Sequence, residues 1–235
     1  HPRVGGEVYT ELLDEFVEAV KEIFPNAVLQ LEDFATDNAF TLLDRYRDNC
    51  RLFDDDIQGT ASVALAGLFS ALRITGQKLE DQRILFLGAG EAGIGIGDII
   101  SAAMMEKGLS HEEAKLRNWF VDSKGLVCNS RKDLAKHKLA YAHDHPQVKN
   151  FIDVIKTLQP TAIIGVSGQP KKFTKEVIEL MSTINEQPIV FALSNPTSKS
   201  ECSAQEAYKW SNGKAIFASG SPFPPVTFKG KEIVP

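Results

Sequence analysis

The sequence predicts an α/β fold, a doubly wound parallel sheet preceded by a helical segment with a short strand, and three observations carry that prediction. From Arg83 onward, short apolar runs ending in Gly, Asp or Asn alternate with stretches of helical periodicity, the rhythm of strand-helix-strand units. Those runs are apolar throughout, as in strands covered on both faces. One of them, Ile84 to Leu87, leads directly into Gly88-Ala89-Gly90-Glu91-Ala92-Gly93 with helical sequence behind it, the setting in which a glycine turn serves a parallel sheet.

Taken in order, apolar residues at Leu12, Leu13, Phe16, Val17, Val20 and Ile23 recur at helical spacing until Pro25 and Asn26 stop them, which predicts an amphipathic helix. Ala27 to Leu31 reads as a short buried strand that delivers Glu32 and Asp33, and a helix is expected from Asn38 to Tyr46. Ile57 to Ile74 is apolar on most faces and is expected to be a buried helix. Further strands are expected at Ile84 to Leu87, Trp119 to Val121, Thr161 to Val166, Ile189 to Leu193 and Ile216 to Ala218. Helices are expected at Gly93 to Lys107, Val148 to Leu158, Lys175 to Ser182 and Ser203 to Trp210, with the polar segment Glu106 to Arg117 read as a connection. A seam at Gly76 to Asp81 divides the chain into segments 1–77 and 78–235.

Composition excludes several classes. With 31 acidic against 26 basic residues and a net charge of -5, the chain lacks the electropositive surface that attracts phosphate backbones, so nucleic acid is not an expected partner. Cys50, Cys128 and Cys202 form neither a metal-type C-x-x-C pair nor a disulfide framework. A reducing, soluble setting is expected, cytoplasmic or an organellar matrix or stroma, and not secretion. The longest apolar stretch, near Ala61 to Leu72, reads as too short to span a bilayer, and no membrane partner is expected.

The glycine turn points to a dinucleotide. Gly88 permits a tight turn, Gly90 lets backbone N–H groups approach a pyrophosphate, and Gly93 allows a helix to pack closely on the strand; Glu91 and Ala92 stand at the helix start. The flanking strand and helix favour a Rossmann-like nucleotide site over an ordinary glycine turn. Asp122 is the acidic residue expected at the end of the second strand, beside the adenosine ribose, with Ser123 and Lys124 after it. Arg131, Lys132, Lys136 and Lys138 follow, and cations there favour a 2′-phosphate, hence NADP over NAD. The other reading of this basic cluster is a solvated, positively charged face.

Glu32 and Asp33 end a strand, and Asp54, Asp55 and Asp56 precede a helix. They read either as caps and dipole compensation or as an all-oxygen site for Mg2+ or Mn2+. His137, His143 and His145 lie in a polar stretch, form no competing metal motif and are expected to be exposed.

Five segments in order resemble signatures of the malic enzymes: Leu31-Glu32-Asp33-Phe34, Asp55-Asp56-Ile57-Gln58-Gly59-Thr60, Phe86 to Gly93, Ala192-Leu193-Ser194-Asn195-Pro196-Thr197, and Phe217-Ala218-Ser219-Gly220-Ser221-Pro222-Phe223. The resemblance covers nearly the whole chain. It implies oxidative decarboxylation of L-malate to pyruvate and CO2 with reduction of NADP, dependent on a divalent cation acting as Lewis acid. It implies Glu32, Asp33 and Asp56 as metal ligands, Asp55 close to metal and cofactor, Asp56 and Asn195 as catalytic groups, Asn195 against substrate and nicotinamide, and Ser194 near the cofactor. Val121-Asp122-Ser123-Lys124-Gly125-Leu126 is similar to the NADP-using, plant-type branch, in which Lys138 would meet the 2′-phosphate. A homo-oligomer, dimer or tetramer, is implied as well.

The sequence departs from the family pattern at Thr36 and Asp37, at Gln169-Pro170-Lys171, and at Asp54, which replaces a frequent asparagine and adds negative charge beside the metal site. The family's tyrosine acid and lysine base belong to an upstream region that nothing here matches, so the chain reads as the inactive central portion of a longer protein. Two other readings stay open: a metal-free Rossmann dehydrogenase of amino acids or folates, and a catalytically silent NADP-binding or assembly module.

Overall fold

The computed structural model describes residues 5–34 and 36–235; the side chains of Thr36 and Asp37, and with them that departure from the family pattern, lie outside the described residues. Contacts divide the chain into two units, one up to Gly59 and one from Thr60 onward, and each is built around parallel strands.

In the first unit, β1 (Leu29–Leu31) and β2 (Leu52–Asp54) pair in parallel with Leu31 opposite Asp54. Helix α1 (Glu7–Ile23) supplies Val17, and α2 (Thr36–Tyr46) supplies Leu42 and Tyr46, to a core with Leu29, Leu31 and Leu52. Asp14 of α1 ties the helices together, accepting from the Arg45 Nε and Tyr46 hydroxyl of α2 at 2.7 Å each. After β2, one π-helical turn (Asp55–Gly59) runs on into α3 (Thr60–Thr75).

Helix α3 corrects two expectations. It buries Ala61, Ala64, Leu68, Ala71 and Leu72 but leaves Val63 75% and Ile74 62% exposed, so it is buried on one side only. The continuous helical span Asp55–Thr75 runs for 21 residues and holds an 18-residue stretch of mean hydropathy 1.3, which by length and composition is long enough to cross a bilayer, as the core helix of a soluble protein can also be; Ala61 to Leu72 alone understates it, because Gln58, Gly59, Thr60 and Arg73 lower apolarity without ending the helix. It packs on the helix that follows the glycine turn. The Gly76 to Asp81 seam falls after α3, inside the second unit.

The second unit holds a six-stranded sheet, in spatial order β5 (Gly125–Leu126), β4 (Asn118–Asp122), β3 (Ile84–Leu87), β6 (Ala162–Gly165), β7 (Ile189–Ala192) and β8 (Ile216–Ser219). All neighbours are parallel except β5, which turns back on β4. Strand order reverses between β3 and β6, the point at which such sheets open a crevice beyond their carboxyl ends. Helices α4 (Glu91–Glu106), α6 (Phe151–Leu158), α7 (Lys175–Ile184) and α8 (Ala204–Trp210) make the crossovers, and Leu85, Ile163 and Val190 of the sheet share a core with Val154, Ile178 and Ala207 of the last three. Several elements were not expected, among them the short strands β2 and β5. The polar segment read as a connection contains α5 (His111–Leu116), started by a capping box in which Ser110 and Glu113 satisfy each other's backbone N–H groups; and β9 (Val226–Phe228) and β10 (Lys231–Ile233) form an antiparallel pair.

Candidate functional site

The glycine turn sits at the end of β3. Gly88 has φ +119°, and a β-carbon on it would come within 2.6 Å of the Val166 carbonyl oxygen; one on Gly93 would meet the Gly88 carbonyl oxygen at 2.5 Å. Only glycine fits either position. A β-carbon on Gly90 would meet nothing within 4 Å, so the open side of the turn lies at the N-terminus of α4, where backbone N–H groups and the helix dipole favour an anion. Glu91 and Ala92 begin that helix, and Glu91 Oε2 is buried without a hydrogen-bond partner among the described residues.

Asp122 ends β4, next to the turn, since Gly88 N donates to Val121 O at 2.8 Å. Its carboxylate takes Arg131 Nη1 and Nη2 at 2.9 and 3.1 Å, Lys138 Nζ at 2.8 Å and the Lys124 backbone N–H at 2.9 Å. Burial alone would raise the Asp122 pKa, but the hydrogen bonds from Arg131, Lys138 and Lys124 outweigh it and the net shift is downward, so the group is held as an anion. The basic cluster therefore divides. Arg131 is buried and Lys138 largely so, whereas Lys124, Lys132, Lys136 and the neighbouring Ser123 are exposed. Lys138 lies on a 3-10 turn, Lys136–Tyr141, anchored by buried Tyr141, whose hydroxyl donates to Asp98 at 2.8 Å and whose ring lies 4.5 Å from that of Phe120.

The expectation of exposed histidines is corrected by the same region. His143 is 7% exposed, with Nε2 donating to the Asn118 carbonyl at 2.8 Å and its ring 4.3 Å from that of Trp119. His137 and His145 are half-buried, and His137 Nε2 lies 3.2 Å from the Ala89 carbonyl of the glycine turn. A nearby strand edge and an indole ring override a polar local sequence.

Beyond the reversal point, the ends of β6 and β7 carry Ser167-Gly168 and Ser194-Asn195. Asn195 is exposed; Ser194, immediately before it, is buried. Ser194 Oγ accepts from Gly168 N at 2.8 Å and donates to Glu201 Oε1 at 2.6 Å. Glu201 is fully buried, and nothing in the sequence announces it: it belongs to no motif and to no periodic pattern. In Gln169-Pro170-Lys171, where a Gly-rich segment was expected, Lys171 takes a positive φ of 61° and its N–H donates to Ser200 O at 3.2 Å.

In the first unit the register Leu31 opposite Asp54 brings the two acidic groups to the same end of the β1-β2 pair, and Asp33 N donates to Asp56 Oδ2 at 2.8 Å. Glu32 is exposed and accepts from Gln30 Nε2 at 3.2 Å. A β-carbon on Gly59 would overlap the Asp55 carboxylate, so Asp55 folds over the glycine. Asp54 acts differently from its neighbours: fully buried, it accepts from Ile57 N at 3.0 Å and its own N–H donates to Gln58 Oε1 at 3.0 Å. Burial raises its pKa, which opposes the negative charge expected from its replacing asparagine. Among the described residues no three acidic, histidine or cysteine side chains are gathered closely enough to enclose an ion. The donor chemistry of Glu32, Asp33 and Asp56 nonetheless fits Mg2+ or Mn2+, which take carboxylate oxygens.

Comparison with known proteins agrees with this layout. Residues 57–235 match the family described as malic enzyme, NAD binding domain, and residues 1–47 match malic enzyme, N-terminal domain. The chain is 54% identical over 97% of its length to the NADP-dependent malic enzyme, chloroplastic, of Flaveria trinervia, spanning 36% of that protein. It is 51% identical over its full length to the NADP-dependent malic enzyme of Anas platyrhynchos, spanning 42% of it. The crystal structure of Entamoeba histolytica malic enzyme superposes with a TM-score of 0.74 at 29% identity, covering 89% of this chain and 41% of that one. With the glycine turn, the parallel sheet and the ordered acidic motifs all in place, the chain belongs to the malic enzyme family.

Proposed function

We propose that the protein to which this chain belongs oxidises and decarboxylates L-malate with NADP+, giving pyruvate, CO2 and NADPH, and that this span holds its dinucleotide and its divalent cation. The observation that carries the reading is the 2.8 Å contact of Asp33 N with Asp56 Oδ2, which joins the two acidic motifs at one end of a parallel strand pair. Glu32, Asp33 and Asp56 would hold Mg2+ or Mn2+, and the bound ion would supply Lewis-acid polarisation of the substrate oxygens. Asp55, folded over Gly59, would stand beside them.

In the second unit, the turn from Gly88 to Gly93 with Glu91 and Ala92 would receive the pyrophosphate, Asp122 and Ser123 the ribose, and Lys138 the 2′-phosphate. Asn195, exposed ahead of buried Ser194, would contact substrate and nicotinamide. The reaction balances as a hydride from malate C2 to the nicotinamide, the hydroxyl proton to a base, and loss of the C4 carboxylate as CO2 with a proton taken up at C3. Tyrosine and lysine groups outside this span would move those protons, so the span by itself binds and does not turn over. The same proposal includes a dimer or tetramer and a reducing cytoplasmic, matrix or stromal setting, in which Cys50, Cys128 and Cys202 stay free as they are here.

The test is a Mn2+ titration followed by electron paramagnetic resonance. Asp56→Ala is expected to abolish tight binding while the circular dichroism spectrum stays unchanged; a titration identical to that of the parent chain would remove Asp56 and the metal reading together.

A further inference from the structure

Glu201 is a carboxylate with no exposure to solvent, and a charge taken out of water persists only where hydrogen bonds replace its hydration. Those bonds come from two loops. Ser167 N and Ser167 Oγ donate to Glu201 Oε1 at 3.0 Å each, from the end of β6. Ser194 Oγ donates to the same oxygen at 2.6 Å and Ser194 N to Oε2 at 3.4 Å, from the end of β7. Gly168 N closes the loop by donating to Ser194 Oγ.

The strand beside it is shaped to admit this side chain. A β-carbon on Gly165, the last residue of β6, would lie 2.4 Å from Glu201 Cδ and 2.7 Å from Oε2. A glycine inside an otherwise Ile- and Ala-built strand marks a close approach, and what approaches here is the glutamate.

We propose that Glu201 is a positioning residue for the nicotinamide half of the dinucleotide site. This rests on the nucleotide reading given above. In a doubly wound sheet the two halves of a dinucleotide lie on opposite sides of the reversal point. The adenosine half falls to β3 and β4, with the glycine turn and Asp122, and the nicotinamide half to β6 and β7. Glu201 touches neither β3 nor β4 through any of these bonds; it fixes the two loops that carry Gly168 and the exposed Asn195 beyond the ends of β6 and β7. Its role is to hold those backbones in a single arrangement before the ring arrives, so that ordering is not left to the moment of binding.

The experiment compares two ligands by calorimetry: 2′,5′-ADP, which reports the adenosine half alone, and NADP+, which needs both halves. Glu201→Gln keeps the side-chain volume but places an NH2 group opposite donors. It is expected to weaken NADP+ on the order of tenfold, the consequence of losing charge-assisted bonds, while 2′,5′-ADP binds as in the parent chain. Ser167→Ala, which removes one donor and leaves the glutamate in place, is expected to move NADP+ in the same direction by less, and carries the test if Glu201→Gln does not fold. Unchanged NADP+ affinity, or an equal loss for both ligands, overturns the positioning role. A parent chain that binds neither ligand would instead remove the nucleotide reading on which the proposal stands.

Discussion

Lys138→Gln tests the proposed role of Lys138 in selecting NADP over NAD. An aspartate at the end of the second strand ordinarily serves a ribose hydroxyl and repels a 2′-phosphate. Here Asp122 takes the bidentate Arg131 at 2.9 and 3.1 Å and Lys138 at 2.8 Å, while Arg131 is shared with Asp133 at 3.1 Å and Asp133 also takes Lys124 at 2.7 Å, so the cations Arg131, Lys124 and Lys138 exceed the two carboxylates by one charge. Lys138 and Asp122 side chains are 19% and 9% exposed, and a charge-assisted bond to phosphate in so sheltered a place is worth about 1.5–3 kcal/mol. Removing it is expected to raise the Kd for NADP+ roughly 10- to 100-fold. NAD+ has no phosphate there, and its affinity is expected to change little because Arg131 still holds Asp122. The measurement is a pair of titrations with NADP+ and NAD+ at fixed ionic strength. Equal losses for the two nucleotides would refute the assignment and return Lys138 to the status of a structural partner of Asp122.

Two further outcomes follow from the packing around that corner. Burial lowers the pKa of His143 below its usual 6.5, so the folded chain keeps a neutral ring while the unfolded chain takes up a proton. The stability this contributes is present above pH 6.5 and is lost as the pH falls through that value toward the lower folded pKa, with a slope of at most about 1.4 kcal/mol per pH unit. His143→Gln is expected to flatten urea-denaturation midpoints across this window, and an undiminished slope would assign it to other groups. At Gly97, a β-carbon would come 2.6 Å from Phe120 Cζ and 3.1 Å from the Tyr141 hydroxyl oxygen. Gly97→Ala is expected to destabilise by about 1–3 kcal/mol through overpacking, read as a lowered Tm, and an unchanged Tm would mean that the Lys136–Tyr141 turn shifts freely.

What was legible in the sequence is what periodicity and motif express locally. Ile84 to Leu87 and the strands at β6, β7 and β8 can be read because their residues are apolar almost without interruption, and the glycine turn because Gly88 and Gly93 answer steric demands that their neighbours impose while Gly90 leaves the turn open. The capping box Ser110-x-x-Glu113 is equally legible, although the polarity of its segment favours a loop. The burial of His143 and Glu201 was not legible at all. Each is a polar residue in a polar stretch, and its burial is decided by groups distant in sequence: Trp119 and the Asn118 carbonyl for one, the ends of β6 and β7 for the other. Asp54 shows the same limit from the acidic side, since three consecutive aspartates look alike in sequence while the β2 register buries the first and leaves the next two half-exposed.

The two units reach their candidate sites by one device. A parallel strand pair points both carboxyl ends the same way, so residues following the two strands become neighbours however far apart they lie in the chain. In the first unit this joins Asp33 to Asp56, 23 residues on; in the second it joins the glycine turn after β3 to the residues after β4, and the Ser167 loop to the Ser194 loop. An antiparallel pairing of β1 with β2 would put Glu32-Asp33 and Asp55-Asp56 at opposite ends. The register, more than the count of acidic residues, is therefore what makes a shared cation physically reasonable, and a substitution that slipped β2 by one residue would separate Asp56 from Asp33 with every carboxylate still present.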